Sequence, residues 1–551
     1  MKQQALYETL WQAGQGREED IVLRCGDKSL SYGALFQGIL QAEAGLRALG
    51  VGPGELVTLF SLNTPEAVMA FYAIDRIGAV ANWVDMKVSP AEVEEYLTQA
   101  GSRVALVLEV AFSKVYHHRG KAPTQHFVVL PLAPYVAPEL EGKFHLNTWQ
   151  QGAGPDCLSW ADFLRAPAQV SPEADRWEEP VAITYTGGTT GPAKGVVLSR
   201  RSFAWALEYY TQAETEYGKG GFALVLLPLF AVFGLSQCLH TPLSLGMGVI
   251  LCPMFRPHDL GEMLRRYRPE QACGTTAYWQ FLLQDAWAAE ADLSFLKVPR
   301  CGGDVLPAEL ERRINAFLAQ RGCASRLIKE YGMSEDGGIM CVSYGAWEDG
   351  DVGRPLPGCR VVAVDPETGA LCPPEVQGEL LIQSQAVMNG YYRRPEADHQ
   401  VLKPGPDGTL WVWTKDLGYI TADGRVVVTG RKKRMLSRNG FKIFPSVIEN
   451  CFLEDPQVTA CAVVGGKNRE GETVPVAYVV PRQGTDPQGQ VLWMLLPREL
   501  EQALQTRAKK TLNTYLIPAA YHFPAELPLT PRGKLDYRTL EAWAAEQEEH
   551  P

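Results

Sequence analysis

At 551 residues the chain is too long for a single hydrophobic core, so two or more domains are expected. With 46% hydrophobic and 21% charged residues it has an ordinary globular composition, and a net charge of -11 argues against non-specific nucleic-acid binding and against a basic membrane-docking face. Twelve cysteines lie scattered without C-x-x-C or Cys/His ligand spacing, which speaks against zinc and fits a reducing cytoplasm.

The opening Met1-Lys2-Gln3-Gln4-Ala5-Leu6 has no apolar signal core. Ile21 to Tyr32 reads as a hairpin turning at Gly26-Asp27, and Ser31 to Leu35 opens a helix that ends near Gly50. Leu56 to Phe60 is a short strand. Thr64-Pro65-Glu66 caps a helix carrying Val68, Phe71, Tyr72 and Ile74 and stopping at Gly78. Ser89-Pro90-Ala91-Glu92 is a capping box, its helix ends at Gly101, and Val104 to Leu108 follows as a buried strand. Such alternation predicts an α/β sheet with parallel strands. Phe112 to Trp177 is proline-rich and weakly patterned, with His117 and His118 expected as a solvated loop pair.

Next comes Ile183-Thr184-Tyr185-Thr186-Gly187-Gly188-Thr189-Thr190-Gly191-Pro192-Ala193-Lys194-Gly195, a strand running into a loop. Glycines let backbone N–H groups approach an anion, threonine hydroxyls add donors, and Lys194 supplies a point charge. It is not the P-loop, because Ala193 precedes the lysine and Gly195 follows it. Ser202 then starts a helix. From Gly220 to Phe255 there is no Lys, Arg, Asp or Glu, but a membrane helix needs about 20 apolar residues. Pro228, Gly234, Pro242, Gly246 and Gly248 interrupt the run, which reads as buried strands flanking a core helix.

Glu330-Tyr331-Gly332-Met333-Ser334-Glu335 places an aromatic beside a glycine, able to lie against a purine, and a carboxylate four positions on that can hold Mg²⁺ beside phosphate oxygens. A boundary is expected near Thr429-Gly430-Arg431-Lys432-Lys433. Beyond it lie strand signals at Ala460 to Val464 and Val474 to Val480 and a helix around Glu499 to Leu512. Leu527-Pro528-Leu529-Thr530-Pro531-Arg532-Gly533-Lys534 makes an exposed, directed loop ending in one lysine.

Together these motifs resemble the adenylate-forming superfamily of acyl-CoA synthetases, peptide-synthetase adenylation domains and luciferases. The family loop is usually Tyr-Thr-Ser-Gly-Thr-Thr-Gly-x-Pro-Lys-Gly. This chain departs at Gly187 and Ala193, and its Thr-Gly-Gly-Thr-Thr-Gly spelling is similar to that of bacterial long-chain fatty acid ligases. The resemblance implies an α/β fold: an AMP-binding N-terminal domain, 1–430, of layered, mostly parallel sheets with helices plus a small β-barrel-like element, and a smaller mobile α+β C-terminal domain, 431–551, carrying the catalytic lysine.

It also implies roles. Thr186, Gly187, Gly188, Thr189, Thr190, Gly191 and Lys194 would hold the phosphates of ATP. Gly302, Gly303 and Asp304 would line the acyl and adenine pockets, and Glu330, Tyr331, Gly332, Met333 and Ser334 would frame the nucleotide with Tyr331 on adenine. Glu335 would hold Mg²⁺, and Asp416 would grip the ribose hydroxyls with Arg431 beside it. Lys415 stands where the family prefers glycine. Lys433 would be the hinge, and Gly440 and Phe441 would border the pantetheine path of CoA. Lys534, with Thr186 and Glu335 the expected catalytic set, would bridge the substrate carboxylate and the α-phosphate.

For the acid, Phe230, Ala231, Gly234 and Tyr278 are expected around the pocket. Pro228 to Leu235 lacks the aspartate of amino-acid activators, and Ala231 replaces the histidine usual in acyl-CoA ligases. A medium- or long-chain fatty acid is expected, with CoA as acceptor because no carrier domain follows. A free-standing enzyme loading a separate carrier protein and a non-catalytic acyl-nucleotide binder remain alternatives, and peripheral membrane contact stays open.

Overall fold

Thr64 accepts a hydrogen bond from the Ala67 amide, Pro65 takes the first helical position and Gly78 closes the helix at φ +75°, so Pro65–Ile77 starts and stops where its capping residues direct. Val68, Phe71, Tyr72 and Ile74 are all buried in one core shared with strands of two large sheets. Every residue of this helix but Arg76 is buried, as expected of a central element. The computed structural model describes residues 4–137, 143–144, 146–167, 177–186, 193–212, 221–344, 350–438, 441–468, 472–485, 491–493, 497–530 and 533–546.

Among these residues one sheet has seven strands, in the order Cys157–Ser159, His126–Leu130, Val104–Leu108, Leu56–Phe60, Val80–Trp83, Pro180–Tyr185 and Gly195–Ser199. All its pairs are parallel except the last, in which Pro180–Tyr185 turns back antiparallel into Gly195–Ser199. The capping box at Ser89 and Glu92 is present, with both of its bonds made. The weakly patterned stretch after Phe112 differs from expectation, because it contributes the last two strands on one side of this sheet. His118 is buried, with Nδ1 3.1 Å from Glu94, so the expected solvated pair is corrected for His118, while His117 is exposed.

The second sheet has nine strands around a parallel centre made by Ile328–Tyr331, Val298–Gly302, Gln271–Gly274, Phe222–Val225, Gly248–Leu251 and Ile21–Cys25. Between Phe222–Val225 and Gly248–Leu251 the chain forms a buried π-helix, Phe233–His240, continued by the helix Thr241–Ser244. The uncharged run is therefore core, and among the described residues no helix is long and apolar enough to cross a membrane.

A five-stranded antiparallel sheet, built from Arg360–Val364, Gly378–Gln383, Leu402–Pro404, Leu410–Ile420 and Val426–Arg431, stands in the place of the expected β-barrel-like element. Beyond it the C-terminal part packs Val458–Lys467, Thr473–Pro481 and Ala520–His522 with the helices Pro445–Leu453, Pro497–Thr511 and Tyr537–Glu546, an α+β arrangement with its own cores.

Candidate active site

The phosphate-type loop hangs from the antiparallel pair Pro180–Tyr185 and Gly195–Ser199. Its neck is closed by two bonds. The Thr186 amide donates to the Lys194 carbonyl at 2.9 Å, and the Lys194 amide donates to Thr186 Oγ1 at 3.2 Å. Gly187, Gly188, Thr189, Thr190 and Gly191 lie outside the described residues. From this neck the Lys194 ammonium reaches over the Tyr391 ring, 4.3 Å from its centroid, and the Tyr391 hydroxyl donates to Glu335 Oε1. Cation, phenol and carboxylate thus form one chain running from the neck at Lys194.

Glu335 is buried in a short 3₁₀ turn, Ser334–Asp336, directly after the strand Ile328–Tyr331. One oxygen of its carboxylate carries the tyrosine bond, and lone pairs remain for a hard cation such as Mg²⁺. The next residue, Asp336, is wholly buried and accepts from the Gly338 amide at 3.0 Å and the Met333 amide at 3.2 Å. Burial pushes its carboxyl up to about 8, and the nearby carboxylates of Glu335 and Asp416 add to the shift. Asp336 therefore braces the Tyr331-Gly332-Met333 turn as a neutral acid below that pH.

Asp416 sits on the long strand Leu410–Ile420, directly opposite Arg431 on Val426–Arg431. The Tyr331 hydroxyl donates to its Oδ2 at 2.7 Å, and Arg431 Nε lies 2.8 Å from Oδ1. Each oxygen keeps a further lone pair, enough for two ribose hydroxyls. Asp416 turns inward because the preceding residue is inverted: Lys415 has φ +63°, and the Asp416 amide is tied to Thr414 Oγ1 at 2.9 Å. The backbone there favours glycine, which gives the physical reason for the family preference that this chain departs from.

Lys534 completes the arrangement from the C-terminal part. Gly303, at φ +83°, forms a bare shelf after the strand Val298–Gly302, and a Cβ built on it would lie 3.6 Å from Lys534 Nζ. The residue before the lysine is held by Thr275, whose hydroxyl donates to the Gly533 carbonyl at 2.7 Å, and Gly533 rests against the Tyr278 ring. The residue after it, Leu535, donates its amide to Asp304 Oδ2 at 3.1 Å. Beside Gly302 stands the Phe233 ring, and beyond it the buried Arg300 pairs with Glu330 at 2.8 Å.

Comparison with known proteins gives the setting for this geometry. The profile of the AMP-binding enzyme family matches residues 10–392, and that of the AMP-binding enzyme C-terminal domain matches 447–534. The chain belongs to the AMP-binding enzyme family. It is similar to a long-chain-fatty-acid–CoA ligase of Bacillus subtilis (strain 168), at 26% identity over 93% of this chain and 90% of that one. It is also similar to 4-coumarate–CoA ligase 2 of Oryza sativa subsp. japonica, at 28% identity over 91% of this chain and 85% of that one. The crystal structure of the anthranilate CoA ligase AuaEII in complex with anthranoyl-AMP shares the fold with a TM-score of 0.84 at 22% identity, both chains covered over 100%. This AMP-binding enzyme is an acid–thiol ligase that joins an acyl or aryl acid to CoA through ATP-dependent adenylation, and Mg²⁺ is the metal its family uses.

Within this AMP-binding enzyme Thr186, Lys194, Glu335, Tyr331, Asp416 and Arg431 surround one region, and Gly303 carries Lys534 to its side. Glu330 does not join them. Both its oxygens are engaged, Oε1 by Tyr210 Oη and Arg300 Nε and Oε2 by Arg300 at 2.8 Å, so its expected nucleotide contact is replaced by a buried structural pair. Asp304, expected along the pockets, gives one oxygen to the Leu535 amide and the other to its neighbour Val305.

Gly332 packs against the Gly338 carbonyl, and Met333 and Ser334 form the braced turn. Gly234 is required by space, because a Cβ there would lie 2.2 Å from the Pro228 carbonyl oxygen. Phe230 is buried, and Ala231 begins the turn into the π-helix. Lys433 occupies an exposed turn after Arg431; Gly440 lies outside the described residues, and Phe441 opens a short strand. Tyr391, Thr275 and Gln237 belong to none of the sequence motifs. The Gly390-Tyr391-Tyr392 glycine–aromatic run was the one local signal for the first of them.

Proposed function

We propose that this ligase activates a medium- or long-chain fatty acid, forming acyl-AMP and then acyl-CoA, with the C-terminal domain, 431–551, turning about Lys433 between the two steps. The observation that carries this reading is the position of Lys534 on the Gly303 shelf, with the Phe233 ring against the neighbouring Gly302 and the Tyr278 ring against Gly533. Between Pro228 and Leu235 no charged side chain is present to hold a substrate amine, and apolar linings of this kind suit an apolar acid. All twelve cysteines are free, which supports a cytoplasmic setting.

In the first step a carboxylate oxygen attacks the α-phosphorus, an O–P bond forms, and the bond to the β-phosphate breaks so that pyrophosphate leaves with the electron pair. Lys534 offsets the repulsion between two anions and stabilises the charge developing on the phosphoryl oxygens. Asp416 and Arg431 fix the ribose, Tyr331 the base, and Lys194 the phosphate end, so the barrier falls through positioning. When bound at Glu335, Mg²⁺ would neutralise phosphate charge. In the second step the thiol sulfur adds to the acyl carbon, AMP leaves, and the thiol proton passes to solvent.

One observation favours a second reading, an aryl acid bearing a hydroxyl or amino group. Gln237 donates its amide to the Gly337 carbonyl at 3.0 Å, while its buried Oε1 has no partner among the described residues and lies 2.9 Å from where a Cβ on Gly338 would stand. Flipping the amide would set oxygen against the Gly337 carbonyl, so the orientation is fixed and the acceptor stays open. An unmet buried acceptor costs about 1–3 kcal/mol, which a donor on the substrate would recover. ATP–pyrophosphate exchange across saturated acids from butyrate to stearate and across hydroxy- and aminobenzoates decides. Exchange with the long saturated acids supports the first reading, exchange confined to the substituted benzoates selects the second, and exchange only with amino acids ends both.

A further inference from the structure

We propose that Thr275 and Asp304 form a clasp that sets Lys534 for the adenylation step by gripping the backbone on either side of it. This rests on the adenylating function proposed above. The loop has an internal frame: Thr530 donates its amide to the Lys534 carbonyl at 2.7 Å, Gly533 donates to the Thr530 carbonyl at 2.9 Å, and the Lys534 amide donates to Thr530 Oγ1 at 3.2 Å. These bonds shape the turn but do not attach it to the rest of the molecule. Attachment comes from the two flanking residues, Gly533 through Thr275 at 2.7 Å and Leu535 through Asp304 at 3.1 Å.

Thr275 has given up its ordinary local duty, and Asp304 keeps only half of its carboxylate for a local one. Thr275 is the N-cap of the helix Thr276–Leu282, where a threonine hydroxyl normally accepts from a helix amide, yet it makes no such bond and is buried with its proton directed at Gly533. Asp304 divides its carboxylate, one oxygen on the adjacent Val305 amide and one across the gap on Leu535. A carboxylate-to-amide bond is among the stronger ones, and fixing two consecutive peptide planes leaves the lysine side chain only its own rotamers to search. Gly533, at φ +72°, comes so near the Tyr278 ring that a Cβ would lie 2.9 Å from it, and the loop can seat only at this depth. Other contacts of the C-terminal part, among them Gln280 on the Thr459 carbonyl at 2.8 Å, His258 with Glu526 at 3.2 Å and Ser446 on the Thr429 carbonyl at 2.8 Å, do not touch the residues flanking the lysine.

Thr275 and Asp304 are positioning residues, and they act through Lys534. With dodecanoate, Thr275→Val and Asp304→Ala should each slow ATP–pyrophosphate exchange about tenfold with KM for ATP unchanged, and Thr275→Ser should restore the rate. Thioester formation from supplied dodecanoyl-AMP should not fall with them. In a Lys534→Ala background neither substitution should cost anything further. Hydrogen exchange at the Leu535 amide should quicken in Asp304→Ala, a readout that needs no activity. Equal losses in both half-reactions, full additivity with Lys534→Ala, or unchanged protection of the Leu535 amide would overturn the clasp. Should the wild-type chain adenylate no acid at all, the functional reading fails, while amide exchange still decides the clasp.

Discussion

The Tyr331 hydroxyl donates to Asp416 across 2.7 Å, joining the end of a strand in the nine-stranded sheet to the middle of a strand in the five-stranded one. With Arg431 on its other oxygen, Asp416 is fixed in a pose that keeps a further lone pair on each oxygen. Asp416→Ala removes the acceptor for both ribose hydroxyls and should lower kcat/KM for ATP about 100-fold, whereas Tyr331→Phe keeps the ring and should cost about fivefold. Steady-state kinetics with ATP varied checks both.

Asp336 supplies a pH dependence with a definite sign. Its folded-state pKa, raised by burial to about 8, exceeds that of an unfolded carboxyl, so the native state holds a proton the unfolded state releases. Its contribution is present in full at low pH and is lost as pH rises towards and through 8. Thermal stability should decline over that window and KM for ATP should rise above it, as the Tyr331-Gly332-Met333 turn loses its neutral brace. Asp336→Asn keeps an acceptor for the two amides and should flatten both profiles.

Lys415 holds a left-handed backbone at φ +63°, a conformation that costs a non-glycine residue roughly 1–2 kcal/mol. Lys415→Gly releases that strain against a smaller loss of chain entropy, and should raise stability by about 0.5–1 kcal/mol, read from the urea midpoint.

Arg300 and Glu330 form a wholly buried pair under Phe233, with Tyr210 bonded to both. Arg300→Met strands the carboxylate, and a loss of about 3–5 kcal/mol is expected in chemical denaturation. Replacing both residues by methionine should recover most of it.

Local signals carried the fold a long way. Thr64-Pro65 with Gly78, and Ser89 with Glu92, name their helices because caps are made by residues within one turn of them. The strands His126–Leu130 and Cys157–Ser159 were not legible, since five and three residues amid prolines offer no period. In the site, neighbours in sequence misled where strand alternation intervened. Lys329 and Tyr331 leave one face of their strand, to Glu311 and Asp416, while Glu330 leaves the other, towards Arg300. Tyr391 and Gln237 reach Glu335 and Gly337 from 56 and 100 residues away, pairings that only the closed fold creates.

Single-turnover formation of acyl-AMP by Lys534→Ala, with ATP affinity measured alongside by calorimetry, tests most directly whether this lysine meets the acid and the α-phosphate together. The rate should fall by about 100- to 1,000-fold with ATP bound as tightly as before. Adenylate appearing at the wild-type rate, or ATP binding lost in step with it, would contradict the account.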